Sequence, residues 1–408
     1  MCDQKIQIIG GGTFGLSTAY HLAKNGYTDI TVIDREEVPS KFSAGYDLNK
    51  IIRPEYEDQF YTNLALDAIS MWESDDFKPY YHKVGYVNCN SSKAPKKTLD
   101  VTDTFFNSLI SNDKFPKGGV EKLTTEEDFK RVLPLDIDFK GWSGYYNRHA
   151  GYAHALKALQ FVAKDCKRMG VKFVVDRIEC MVYSSTKKCL GVMGESGEIY
   201  RADLTIMAMG AHISKVFPDL AVTPKAWSVG HLHLSEEEAA PLKDMPVFNC
   251  RDIGFCFEPD EDNNILKMCN SSAGWVNCEK TDISVPTESN DGVCEVDKEA
   301  LDYQAKIFFP NVDKPVVDRK ICWCCDRTNS DFVIDYHPDY TNLLLATADS
   351  GHGFKMLPIF GKWVLGRIQN NLSEEQSSRW KWFEDEKEID DVSWRLGKVM
   401  NLSGEERF

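Results

Sequence analysis

Residues 6–34 read IQIIGGGTFGLSTAYHLAKNGYTDITVID, and this stretch decides the fold. The apolar run Ile6 to Ile9 predicts a buried strand, followed directly by Gly10, Gly12 and Gly15. Thr13 and Phe14 open a helical pattern with apolar positions Leu16, Ala19, Tyr20, Leu22 and Ala23, which stops at Asn25-Gly26. A second strand, Ile30 to Ile33, delivers Asp34 at its end. Glycines at these places let a strand turn sharply into a helix, let backbone amides approach a pyrophosphate, and let helix and strand pack closely; the acid reaches a ribose hydroxyl. A glycine-rich turn alone would fit an ordinary βαβ unit. Strand, glycines, helix, strand and acid in this order point to a bound dinucleotide.

At 408 residues the chain is long for one hydrophobic core, so two domains or one domain with a large inserted lobe are expected. A net charge of −15 argues against a nucleic-acid or anionic-membrane binder, because phosphate recognition draws on clustered Lys and Arg. An anionic small ligand must therefore meet locally placed cations. The 13 cysteines are scattered and follow no apolar leader, which reads as reduced thiols inside a cell. No apolar run reaches transmembrane length, and the C-terminal Glu406-Arg407-Phe408 is not a peroxisomal address, so a cytoplasmic protein is expected.

Past Asp34, the mixed segment Ala44 to Arg53 is too polar for a core strand and is a candidate cofactor-wrapping segment. Residues 60–73 predict an amphipathic helix, Tyr86-Val87-Asn88 a strand, and Ser91 to Lys122 a surface excursion with one short helix. Residues 154–169 read as helix, Val171 to Val175 as strand, and a hairpin turns about Ser196-Gly197. Ala202 to Ala211 is a buried parallel strand ending in small residues. Between 222 and 310, alternating runs such as Val229 to Leu234, Gly254 to Glu258 and Ile265 to Met268 predict antiparallel strands. Strands return at Phe332 to Asp335 and Leu343 to Ala348, with a glycine-rich turn at Asp349 to Gly353 and a last helix near Pro358. An acidic run, Glu384 to Asp391, follows.

Gly10 to Gly15 with Asp34, Asp47-Leu48-Asn49-Lys50-Ile51-Ile52-Arg53, the Ala202 to Gly210 strand, Cys322-Trp323, and Asp349-Ser350-Gly351-His352-Gly353-Phe354-Lys355 together resemble the monomeric sarcosine oxidase family of FAD enzymes. Within it, the chain is similar to the fungal branch of fructosyl amino acid oxidases (amadoriases) and saccharopine or pipecolate oxidases. The resemblance implies an α/β fold: a Rossmann-like FAD-binding domain of the D-amino-acid-oxidase type with an antiparallel-sheet substrate lobe. It places the FAD domain at 1–80, 145–220 and 320–375, the lobe at 81–144 and 221–319, and a tail at 376–408. The implied enzyme is a monomeric oxidase acting on the CH–NH group of a small secondary-amine amino acid. The flavin takes a hydride, the imine hydrolyses, and oxygen is reduced to hydrogen peroxide.

The resemblance also assigns roles. Cys322 would carry the flavin through a thioether; on the residues alone, Cys322, Cys324 and Cys325 read as a metal site or, more commonly, as buried thiols, and their spacing lacks zinc pairings. Arg53 and Lys355 would grip the substrate carboxylate, against a bland reading as a surface ion pair and a solvated lysine. Lys267, between apolar neighbours on a predicted strand, would stabilise charge developing on oxygen; alternatively it faces water on an edge strand. Lys50 would approach the flavin ring. The cofactor shell would comprise Gly10, Gly12, Thr13, Phe14, Gly15, Asp34, Arg35, Ser43, Lys50, Cys322, Gly351, His352, Gly353, Phe354 and Lys355. His154 reads as a satisfied histidine, and no general base is assigned.

Three positions depart from the family pattern. Ser271 stands where sarcosine enzymes have histidine and amadoriases an acid, Cys324 replaces an active-site tyrosine, and Trp380-Lys381-Trp382 lacks the arginines of an amadoriase tail. The wording Asn49 to Arg53 followed by Tyr56 favours the saccharopine and pipecolate side. The remaining alternatives are a fructosyl amino acid oxidase, a dehydrogenase passing electrons elsewhere, and a non-catalytic flavin-binding protein.

Overall fold

The computed structural model describes residues 3–279, 281–383 and 396–408; the acidic run lies outside them. The opening stretch folds as β1 (Ile6–Ile9), α1 (Thr13–Lys24) and β2 (Ile30–Asp34). β1 is the inner strand of a six-stranded sheet, pairing in parallel with β2 (Ile6↔Ile30) and with Leu204–Met207 (Ile6↔Leu204). Lys172–Val175 flanks β2, while Leu343–Thr347 and the antiparallel Val333–Tyr336 complete the other side. Burial on both faces explains why these strands are continuous apolar runs rather than alternating ones: Ile6, Ile8, Ile206 and Leu344 are all fully buried. Helix α1 packs between Ala155–Arg168 and Phe360–Ile368. The second crossing is close because Gly361 has no side chain; a Cβ there would sit 2.0 Å from Ser17 O.

The second layer is a large, mostly antiparallel sheet built around the long strand Thr223–His233. That strand pairs with Ile265–Asn270 on one side and Val317–Asp326 on the other. The sheet continues through Gly254–Cys256, Val247–Cys250, Tyr86–Asn90 and Ser143–Asn147, with parallel pairings at Cys250↔Cys89 and, at its other end, Trp275↔Met400. A small sheet of β3 (Lys50–Ile52), Gly151–Ala153 and Tyr81–His82 lies in the chain between the two larger ones.

The expected α/β fold with an antiparallel lobe is therefore present, and α2 (Gln59–Trp72) matches the predicted amphipathic helix. Other local elements differ from expectation or refine it. Ser91 to Lys122 holds a 15-residue helix, Lys96–Ile110, not a short one; its polar residues masked a narrow stripe in which Val101, Phe105 and Leu109 are buried. The segment from Ala44 to Arg53, too polar for a core strand, forms only the edge strand β3 of the small sheet. A helix, Glu295–Phe308, interrupts the region read as alternating strands, and a short helix, Glu374–Arg379, follows the one expected to be last. Residues 317–326, of which those from 320 on were expected in the FAD-binding domain, form a strand paired with Thr223–His233. This pairing brings Cys322 to the large sheet.

Candidate active site

Backbone geometry builds the glycine turn. Gly10 has φ +104°, and a Cβ on it would lie 2.3 Å from Ala208 O, in the loop after Leu204–Met207. A Cβ on Gly15 would lie 1.8 Å from Gly10 O. The Asp34 carboxylate accepts from Gly11 N–H at 2.7 Å, so the acid at the end of β2 also ties down the turn. Helix α1 begins after Gly12 with no side-chain cap, leaving its first amides available to an anion. Ser43 stands against Gly12, Thr13 against Gly45, and Arg35 lies 3.6 Å over the Phe42 ring with a buried Nη2 that has no partner. An uncapped helix start, space only glycine leaves and an orphaned guanidinium nitrogen fit the diphosphate and ribose of FAD.

The Gly351 to Lys355 turn approaches the same place. Phe14 stacks on Phe360 at 3.5 Å, and a Cβ on Gly353 would come within 2.7 Å of the Phe14 ring. The His352 ring stacks on Phe332 at 4.7 Å, with Nε2 2.8 Å from Ser330 O and Nδ1 3.0 Å from Tyr56 Oη. Phe354 stacks on Trp72 at 5.9 Å. These three rings, expected as cofactor contacts, hold the turn against α1 and α2.

Strand register assembles a cationic cluster. Opposed residues on antiparallel strands share a face, so Cys322 (opposite Trp227), Lys320 (opposite Val229) and Lys267 (opposite His231) all project to one side of the lobe sheet. There they meet Asp47. Its carboxylate accepts from Lys267 Nζ at 2.5 Å, pairs with Lys50 Nζ at 2.9 Å, and lies 3.9 Å from Lys320 Nζ. Lys267 is 1% exposed and also donates to Asn49 O at 2.8 Å. Burial alone would raise the Asp47 carboxyl, but Lys267, Lys50 and Lys320 outweigh it and hold it well below the usual range. Burial likewise opposes the Lys50 charge, and Asp47 followed by Cys322 keeps it well above its ordinary value. Lys50 Nζ lies 3.4 Å from Cys322 Sγ. Three ammonium groups against one carboxylate leave this face positive.

A second group of cations surrounds Tyr56. Lys355 is buried, with Nζ 4.5 Å over the Tyr56 ring, and the Arg53 guanidinium lies 5.7 Å from the same ring. Burial, reinforced by Arg53, drives the Lys355 ammonium well below its ordinary value. No carboxylate among the described residues forms a salt bridge with either side chain. Arg53 donates to the backbone oxygen of Glu55, whose carboxylate accepts from Asn147 at 2.7 Å. The bland alternative for Arg53, a surface salt bridge to Glu55 or Glu57, does not form; Arg53 is half-buried and Lys355 buried.

The fold brings Lys50, Lys267 and Cys322 into one cluster and Arg53 with Lys355 into another. His154 caps Ala155–Arg168 and pairs with Asp260 at 3.2 Å, a satisfied histidine. Sequence reasoning missed Asp47, Lys320 and Arg251. Asp47 had a signal, since it precedes two basic positions in a segment too polar for its surroundings. Arg251 had none, because its surroundings come from distant segments.

The family described as "DAO: FAD dependent oxidoreductase" matches residues 5–367. The chain is 31% identical to the L-saccharopine oxidase of Schizosaccharomyces pombe over 426 residues, covering 96% of each. It is 24% identical to the monomeric sarcosine oxidase of a Bacillus species, covering 85% of this chain and 87% of that one. Among solved structures, amadoriase II of Aspergillus fumigatus, a deglycating fructosamine oxidase in complex with FSA, superposes with a TM-score of 0.92 at 32% identity, covering 100% of this chain and 97% of that one. The chain belongs to the FAD dependent oxidoreductase family.

Proposed function

We propose that this FAD-dependent oxidoreductase is an oxidase of secondary-amine amino acids, with the substrate carboxylate held by Arg53 and Lys355. The observation that carries this reading is the pair of cations over Tyr56, half-buried Arg53 and buried Lys355, which form no salt bridge among the described residues and stand beside the glycine-rich turn. Bound FAD supplies the hydride acceptor, and its return to the oxidised state consumes oxygen and yields hydrogen peroxide.

The chain's own residues do the rest. Arg53 offers a planar fork and Lys355 a point charge to one carboxylate. Their positive charge, with removal of water, disfavours the ammonium form of the amine and so favours the neutral form from which hydride can leave. Lys267, fixed by Asp47 and Asn49 O, presents a charge that cannot swing away, suited to stabilising negative charge as oxygen is reduced. Cys322, 3.4 Å from Lys50 Nζ, would hold the flavin covalently. The turn at Gly10, Gly12, Thr13 and Gly15, with Asp34, Arg35 and Ser43, would hold the diphosphate and ribose. We assign the parallel-sheet segments to the FAD domain and the large sheet to the substrate lobe, and expect a cytoplasmic monomer. Among the described residues no helix is long and apolar enough to cross a membrane.

The test is a peroxide-coupled screen of the purified yellow protein with sarcosine, pipecolate, saccharopine and fructosyl amino acids, alongside anaerobic bleaching of the flavin. Bleaching with peroxide supports the oxidase. Bleaching without peroxide would make it a dehydrogenase, and no bleaching with any secondary amine would overturn the reading.

A further inference from the structure

Arg251 follows the strand Val247–Cys250 and is fixed there by its backbone N–H, donated to Cys89 O at 2.9 Å. It is 8% exposed, yet its Nε and Nη2 are buried with no hydrogen-bond partner. These two nitrogens form one edge of the guanidinium, the edge that receives the two oxygens of a carboxylate through parallel bonds. The Arg251 guanidinium lies 4.9 Å from the Phe105 ring and that of Arg53 lies 5.2 Å from the same ring, so both cations border one aromatic wall. The neighbouring acid, Asp252, is occupied by Ser91 N–H at 2.9 Å and by Ser91 Oγ. Tyr86 and Tyr145, raised by burial, are neutral phenols and cannot balance the charge. Near these rings the buried carboxylate of Glu55 acts on Arg53 and Lys355, and the only carboxylate acting on Arg251 among its strongest influences is that of the exposed Glu57. A buried guanidinium with an empty fork is costly unless a ligand fills it.

We propose that Arg251 is the binding residue for a second carboxylate, so that the substrate is a secondary amine bearing two carboxylates on one short chain, an N-substituted glutamate. This rests on the oxidase reading above and narrows it. Saccharopine belongs to this class, whereas sarcosine, pipecolate and fructosyl derivatives of monocarboxylic amino acids carry no second carboxylate for Arg251.

Two measurements on the holoenzyme test this. The first is equilibrium binding of glutarate and of butyrate, read by calorimetry on the wild type, Arg251→Met and Arg251→Lys. The wild type should bind glutarate about a hundredfold more tightly than butyrate, the effect of two charged hydrogen bonds. That ratio should collapse in Arg251→Met and fall at least tenfold in Arg251→Lys, which keeps the charge and loses the fork. Equal affinities in the wild type, or an unchanged ratio in Arg251→Met, overturn the second site. The second measurement is kcat/KM for N-ethyl-glutamate against N-ethyl-norvaline, expected to favour the dicarboxylate. Glutarate preference without oxidation of either amine keeps the anion site and refutes the oxidase reading, and oxidation of both amines at equal kcat/KM refutes the specificity.

Discussion

Replacing Asp47 with asparagine should destabilise the protein more than most single substitutions, because this one buried carboxylate meets ammonium groups from three parts of the chain, of which that of Lys267 is fully buried. Its contacts to Lys267 at 2.5 Å and Lys50 at 2.9 Å are direct, and Lys267 is 1% exposed. Removing one member of a buried ion pair costs about 3–5 kcal/mol, since the surviving charge is left without a partner. Asparagine keeps one acceptor oxygen and the Lys50 side chain is 22% exposed, so the lower end, about 3 kcal/mol, is expected. At roughly 2–4 °C per kcal/mol, calorimetry of the holoenzyme should find the melting temperature about 6–12 °C lower. Changing Lys267 to methionine in the Asp47→Asn background removes the orphaned charge and should recover more than half of that loss. The pH dependence has a definite sign. The folded pKa of Asp47 is depressed, so its contribution is fully present above the unfolded value of about 3.9 and is lost as pH falls through the folded one. The gap between wild type and Asp47→Asn should hold steady through neutral pH and close in strong acid. A variant melting within about 2 °C of wild type, or a double variant no better than the single one, would refute the ion-pair account.

Cys322→Ser should release its yellow colour through a filter after acid denaturation while the wild type retains it; free colour in both would remove the thioether. Lys267→Met should slow reoxidation by oxygen and leave anaerobic reduction by substrate nearly unchanged, read by stopped-flow absorbance; equal oxygen rates would strip Lys267 of its role. Lys355→Met should raise KM at least about tenfold and yet raise the melting temperature of substrate-free enzyme, because an unpaired buried ammonium is removed. The folded pKa of Lys355 lies below the unfolded one, so this stability gain should grow as pH falls below about 10 and level off once the folded value is passed. Wild-type KM should rise as Lys355 deprotonates, and a profile identical in Lys355→Met would show that another group titrates.

The dinucleotide grip was legible without coordinates because its demands are local. Gly10 must turn, Gly15 must let the helix approach, and Asp34 must end the next strand, all within one βαβ unit where spacing in sequence fixes spacing in space. Continuous apolar strands and α2 were legible for the same reason. The helix Lys96–Ile110 was read too short because its buried stripe is narrow, and the pairing of Val317–Asp326 with Thr223–His233 was not legible because pairing partners are not written in a strand's own residues. Resemblance to a family supplied Arg53, Lys267, Cys322 and Lys355 as positions. Only the tertiary structure decided their company. Register on Thr223–His233 brings Cys322, Lys320 and Lys267 to one face, and Asp47 arrives there from a segment 220 residues from Lys267. Arg251 lies between other segments again, with Phe105 and Arg53. Charge acts through space and burial sets its strength, so the identity of the cations belonged to the sequence, and which of them find a carboxylate to the fold.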